Sequence, residues 1–245
     1  MNAWGAVLLQ ETFDTAIPDG WGIWNPNIVV SSPAQSGNSV QFSWAPLAEQ
    51  PTGINSAQRW SWTAVDTLYF TCYWRFNSDW RGSGFGFHPH LVYILDAIDT
   101  NLSAGTLRVY IETTDSGTDY AIPRMIIGRG ESTVFYDANS SYNMASGAWH
   151  KIEAYLVNNT VGSSNGILRM WIDGVQVLNV SDATYRTDAS VHFGAVAVGP
   201  WMSSSGQGPN LSQTMWMDDM EVHDSMPTGT SRRLNNVTGV RVTLH

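Results

Sequence analysis

Disulfide chemistry is absent from this chain. Cys72 is the only cysteine in 245 residues, so no internal pair can form and the fold does not rest on oxidation. That cysteine lies in Leu68-Tyr-Phe-Thr-Cys-Tyr-Trp-Arg-Phe76, on the strand face shared with Phe70, Trp74 and Phe76. The expectation is a buried, inert thiol and not a nucleophile. Charge is also scarce. Asp, Glu, Lys and Arg make up 13% of the chain, about half the usual share. With a net charge of −9, a polyanionic backbone would meet an opposing field unless a local basic patch overcame it. Nucleic acid is therefore not an expected partner. No apolar run is long enough to span a membrane, so no membrane partner is expected. The first residues lack a basic segment, and their short apolar run leads straight into Gln10-Glu11, which does not read as a signal peptide. No long helical periodicity occurs.

What remains is apolar mass, rings and turns. Hydrophobic residues are 43% of the chain, with Trp 12, Tyr 9 and Phe 8 favouring strands, and Gly 22 and Pro 10 favouring turns. The run Ile167-Leu-Arg-Met-Trp-Ile-Asp173 sets Leu168, Met170 and Ile172 against Arg169, Trp171 and Asp173. A period of two gives one apolar face and one decorated face. Leu107 to Thr114 does the same, with Leu107, Val109 and Ile111 opposite Arg108, Tyr110 and Glu112. Further strands are read at Leu8–Phe13, Ile28–Ser32, Ser39–Trp44, Ala57–Trp62, Leu68–Asn77, His88–Leu95, Tyr120–Ile127, Glu131–Tyr136, Trp149–Val157, Ile167–Val180, Val191–Val198 and Thr214–His223. Short strands at this spacing, with loops between them, indicate an all-β sandwich of two antiparallel sheets. Residues 1–225 form one domain on this reading. Residues 226–245 form a further edge strand or a docking tail whose Arg232, Arg233 and Arg241 contrast with the acidic whole and suit self-association or contact with a capsid.

Three segments carry a family resemblance: Gly147-Ala-Trp-His-Lys-Ile-Glu-Ala-Tyr155, Asn165-Gly-Ile-Leu-Arg-Met-Trp-Ile-Asp-Gly174 and Met215-Trp-Met-Asp-Asp-Met-Glu-Val222. With Glu11-Thr-Phe-Asp14 and Gly20-Trp21, they resemble the concanavalin A-like lectin/glucanase jelly roll, in its branch of alginate- and glucuronan-lyase-like domains. The resemblance implies a concave and a convex sheet. It places the strands Leu68–Phe76, Leu107–Thr114, Trp149–Val157 and Ile167–Asp173 in the concave one. Tyr73, Arg75, Arg108, Glu112, Lys151, Glu153, Arg169 and Trp171 then line a glycan-binding groove, with Trp171 as the main stacking ring and Trp80 and Trp201 at its rim. The resemblance also implies a structural Ca2+ held by Asp219 with Glu11 or Asp14, a ligand set of hard oxygens that suits calcium. No organic cofactor is implied.

Related lyases carry a Gly-Gly-Lys-Leu-Pro-Gly type segment where this chain has Arg81-Gly-Ser-Gly-Phe-Gly-Phe-His-Pro-His-Leu91, without lysine. The glucanase array of carboxylates on one strand is absent as well. The first reading is accordingly a module that binds a polysaccharide or cell-surface glycan without cutting it. A second reading is a polysaccharide lyase. β-Elimination needs a cation against the uronate carboxylate, a base for the C5 proton and an acid for the leaving oxygen. Arg75 or Arg108 could supply the first, His88, His90 or Tyr155 the second, and Tyr110 or Tyr155 the third. A third reading is a structural protein decorating a capsid. A virion surface, or an extracellular site reached without a signal peptide, accords with the composition.

Overall fold

The computed structural model describes residues 5–14, 29–30, 32–46, 48, 58–80, 89–96, 107–115, 120–129, 132–137, 144–202, 211–226 and 241–244. The described strands run, in chain order, β1 (Val7–Glu11), β2 (Val29–Val30), β3 (Ser39–Trp44), β4 (Gln58–Val65) and β5 (Thr67–Phe76). Then follow β6 (Pro89–Asp96), β7 (Leu107–Asp115), β8 (Tyr120–Arg129), β9 (Ser132–Asp137) and β10 (Met144–Ala145). The last are β11 (Trp149–Val157), β12 (Gly166–Ile172), β13 (Val175–Ala183), β14 (Phe193–Met202), β15 (Gln213–His223) and β16 (Arg241–Leu244). Two 8-stranded sheets result, and every pairing in them is antiparallel. Sheet I has the order β13-β12-β11-β5-β15-β3-β2, with β1 on β15; sheet II has the order β16-β9-β8-β7-β6-β14-β4, with β10 on β8. Among the described residues no helix is long and apolar enough to cross a membrane.

Alternation builds the core. On β5, Leu68, Phe70, Cys72, Trp74 and Phe76 are fully buried. They meet Ile152, Ala154 and Leu156 of β11, Leu168, Met170 and Ile172 of β12, and Val196 and Val198 of β14 in one cluster. Each large side chain in it contributes roughly 1.5–3 kcal/mol by leaving water. Burial pushes the Cys72 thiol well above its ordinary pKa, which suppresses the thiolate.

Three expectations are corrected. Ile167 to Val180 is two strands: Asp173 and Gly174 both have positive φ (51° and 76°) and turn the chain tightly between β12 and β13. β7 belongs to sheet II, whereas β5, β11 and β12 belong to sheet I, so these four strands do not share a concave sheet. Trp80 is not a rim residue. It is 2% exposed and packs on Phe76 (4.8 Å between ring centroids) and Trp44 (6.0 Å). The residues of β10 escaped the sequence reading altogether. The C-terminal segment contributes an edge strand, since β16 pairs with β9.

Candidate functional site

Sheet II gathers polar and aromatic residues on one face. On β14, Val196 and Val198 belong to the core, so the alternating Ala195 and Ala197 lie on the opposite, outer face. Cross-strand partners share a face. The pairings carry that outer face across the sheet in rows. One row reads Trp201, His90, Glu112, Arg124, Asp137, Arg241 from β14 to β16. The adjacent row reads Ala197, Tyr93, Tyr110, Ile126, Phe135, Thr243. A third includes Ala195, Leu95, Arg108 and Gly128, while Arg59 and Ser61 of β4 lie opposite Ala197 and Ala195. At ~4.8 Å per strand, the first row spans roughly 24 Å. His90 and Tyr110 are diagonal neighbours, about 7–8 Å apart at Cα. Ala195 and Ala197 are themselves covered, at 0% and 1% exposure. His90, Arg108, Tyr110, Glu112 and Arg124 thus hold register positions on one face of the sheet.

The sequence-derived site therefore divides. His90, Arg108, Tyr110 and Glu112 come together on sheet II. Tyr73, Arg75, Lys151, Glu153, Tyr155, Arg169 and Trp171 lie on the outer face of sheet I, across the core. Tyr155 cannot act with His90 or Tyr110 in one site, nor Arg75 with Arg108. His88 lies outside the described residues. Trp171 is corrected as a stacking platform, because at 2% exposure it is closed off, opposite Glu153 and Gln176 in the register. Glu153 is also buried, accepting a bond from the Tyr69 hydroxyl and standing 3.7 Å from Lys151 Nζ. Arg169 donates from Nε to Asn179 Oδ1 (3.1 Å). Tyr93, Arg124 and Arg59 were missed. Their single-strand patterns are ordinary, and only cross-strand register aligns them with His90 and Tyr110.

The third predicted group lies where β1 meets β15. Asp14 Oδ1 accepts the Asn38 N–H (2.9 Å), and Ser36 Oγ donates to both Asp219 oxygens (3.2 Å each). A Cβ at Gly37 would fall 1.6 Å from Asp14 Oδ1, so this close approach requires glycine. The deeper carboxylate is Asp218, which the sequence reading passed over. It is fully buried and accepts backbone N–H bonds from Gln35 (2.8 Å), Ser36 (3.1 Å) and Asp219 (2.8 Å). Burial, assisted by the Asp219 charge, pushes Asp218 up to about 6 against those donors. Burial first, then the Asp14 carboxylate, also raises Glu11 and Asp219. Among the described residues no three His, Cys, Asp or Glu side chains converge closely enough to hold a metal ion, and protein donors already occupy these carboxylates.

Comparison with known proteins matches this architecture. The family model for polysaccharide lyase 14 matches residues 103–206, a stretch that runs from β7 through the whole of β14. The solved alginate lyase Aly36B is 16% identical with a TM-score of 0.60, the match covering 96% of this chain and 100% of that one. The chain folds as a jelly-roll β-sandwich of two antiparallel sheets, the fold it shares with that lyase. The endo-β-1,4-glucuronan lyase of the fungus Trichoderma reesei shares the jelly roll at 13% identity and a TM-score of 0.54, covering 90% and 96% of the two chains. The PL-14 alginate lyase of Aplysia kurodai shares it at 12% identity and 0.55, covering 89% and 98%. No curated protein matches the chain.

Proposed function

We propose that this jelly roll is a polysaccharide lyase that cleaves uronate-containing glycans by β-elimination on the outer face of sheet II. The observation that carries the reading is the register that brings His90, Glu112 and Arg124 into one row beside Tyr93 and Tyr110. Arg108 and Arg124 supply cations for the uronate carboxylate, whose neutralisation makes the C5 proton removable. His90 takes that proton. The C5–H electron pair becomes the C4–C5 double bond, the C4–O bond breaks, and Tyr110 protonates the departing oxygen. The lyase-14 match over residues 103–206 and the fold likeness to alginate and glucuronan lyases support this reading over glycan binding without cleavage. The missing lysine at residues 81–91 is met on this account by His90 and Tyr110.

The test is ultraviolet absorbance of unsaturated uronate products from alginate and glucuronan. Tyr110→Phe and His90→Ala should each lower the rate about a hundredfold or more at unchanged melting temperature, the scale of one lost acid–base group. Retained binding with no product from any uronate polymer would replace the lyase with a non-catalytic glycan-binding module. A stabilising calcium ion held by Asp219 with Glu11 or Asp14, and otherwise by backbone carbonyl oxygens, belongs to the same proposal; it needs two of these carboxylates and not three converging ones, and the repulsion that Asp14 exerts on Glu11 and on Asp219 supports it.

A further inference from the structure

We infer that the outer face of sheet I carries a second glycan site, separate from the sheet II face, whose ligand is a carboxylate-bearing pyranose chain. The acidic ligand class rests on the lyase reading; the site itself rests on its own geometry. One cross-strand row reads Trp149, Arg75, Trp216, Gln41 over β11, β5, β15 and β3. Unlike Trp171, both tryptophans are only half-buried. The Arg75 guanidinium lies 5.9 Å from the Trp216 ring centroid. Trp216 Nε1–H donates to Gln41 Oε1 (2.9 Å), Gln41 Nε2 donates to Ser43 Oγ (3.2 Å), and Ser43 Oγ meets Thr214 Oγ1 (3.3 Å). This chain of bonds fixes the plane of one ring before any ligand arrives, which lowers the ordering cost of binding.

Two rings flank one cation, with the tryptophans about 10 Å apart at ~4.8 Å per strand. Stacking rings recognise the apolar faces of pyranoses, and a guanidinium recognises a planar carboxylate by a two-pronged donor set. Arg75 is half-buried; its Nε is covered and without a hydrogen-bond partner among the described residues, so its paired Nη donors are the end that a ligand carboxylate meets. Lys151, opposite Tyr73 in the next row, places a second cation on the same face. A groove that cuts a long polymer gains residence time when another stretch of that polymer is held elsewhere on the molecule, since the second contact is then intramolecular.

Affinity electrophoresis of the intact protein tests the site, in a Tyr110→Phe background so that the embedded polymer is not cut. Gels contain alginate, glucuronan or a neutral β-glucan. The parent should be retarded by the two acidic polymers and not by the neutral one. Trp149→Ala/Trp216→Ala and Arg75→Gln should each weaken the part of that retardation due to this face by roughly tenfold, the size of one lost stacking or charge-assisted contact. Arg75→Gln leaves the core untouched, so its melting temperature should equal that of the parent, and it stands if the double variant fails to fold. In the active background, both variants should process a tetrasaccharide as the wild type does while losing efficiency on polymer. Retardation of Arg75→Gln equal to the parent overturns the second site, as does equal retardation by the neutral glucan. Absence of any lyase product, with retardation still dependent on Arg75, would remove the catalytic reading and leave this site in place.

Discussion

Replacing Asp173 by Asn should remove a pH-dependent fastening between the two sheets. His150 is the second residue of β11 and is 7% exposed. Its Nδ1 is 2.7 Å from Asp173 Oδ2, on the β12–β13 turn of sheet I. Its Nε2 is 2.9 Å from the carbonyl oxygen of Ala145, in β10, which pairs with β8 of sheet II. Two acceptors facing both ring nitrogens are satisfied only by the doubly protonated ring. Burial opposes that charge. The bonds to Asp173 and to the Ala145 carbonyl, with the Asp173 charge, outweigh it, so the pKa is raised above its ordinary 6.5. A raised folded-state pKa adds stability that is complete below the unfolded value and is lost as pH rises through the folded one. A charge-assisted bond contributes about 1.5–3 kcal/mol. The Asp173 side chain is 42% exposed, so solvent screening favours the lower end, ~1.5 kcal/mol. Asparagine tolerates the left-handed backbone at φ 51° and keeps an acceptor for the Lys151 N–H. For a domain of this size the variant should melt about 3–6 °C lower near pH ~5.5, by scanning calorimetry, with the gap closing towards pH ~9. A gap of equal size at both pH values, or no gap at the lower one, would refute the assignment of an imidazolium to this position.

Phe76→Ala should cost about 3–5 kcal/mol, because it empties a fully buried site against Trp80, and urea unfolding should show it as a lower midpoint at nearly unchanged slope. Added calcium should raise the melting temperature and a chelator should lower it, through linkage to the folded state. Asp219→Asn should blunt that response, and a melting temperature indifferent to both additions removes the ion from the Glu11, Asp14 and Asp219 corner.

The sequence determined which residues of each strand face together, because alternation is a local property of extended backbone. Leu168, Met170 and Ile172 enter the core as their spacing requires, and Cys72 sits among aromatic residues as an inert thiol. The all-β class and most strand positions follow from the same pattern and the turns between. Sheet membership was decided only by tertiary pairing between segments distant in sequence. β5 and β7 carry similar alternation, yet they lie in opposite sheets, and a groove read as one became two faces separated by the core. Ring exposure was decided in the same way. Trp80 and Trp171 are closed off while Trp149 and Trp216 reach the surface, since the cover over a ring comes from neighbouring strands and loops and not from its own alternation. The neighbouring Asp218 and Asp219 depart from simple alternation for a further reason: a bulge in β15, with Asp219 at φ 44°, breaks the period of two that sequence reading assumes, so both carboxylates meet Ser36, and the Gln35–Ser36 segment buries Asp218.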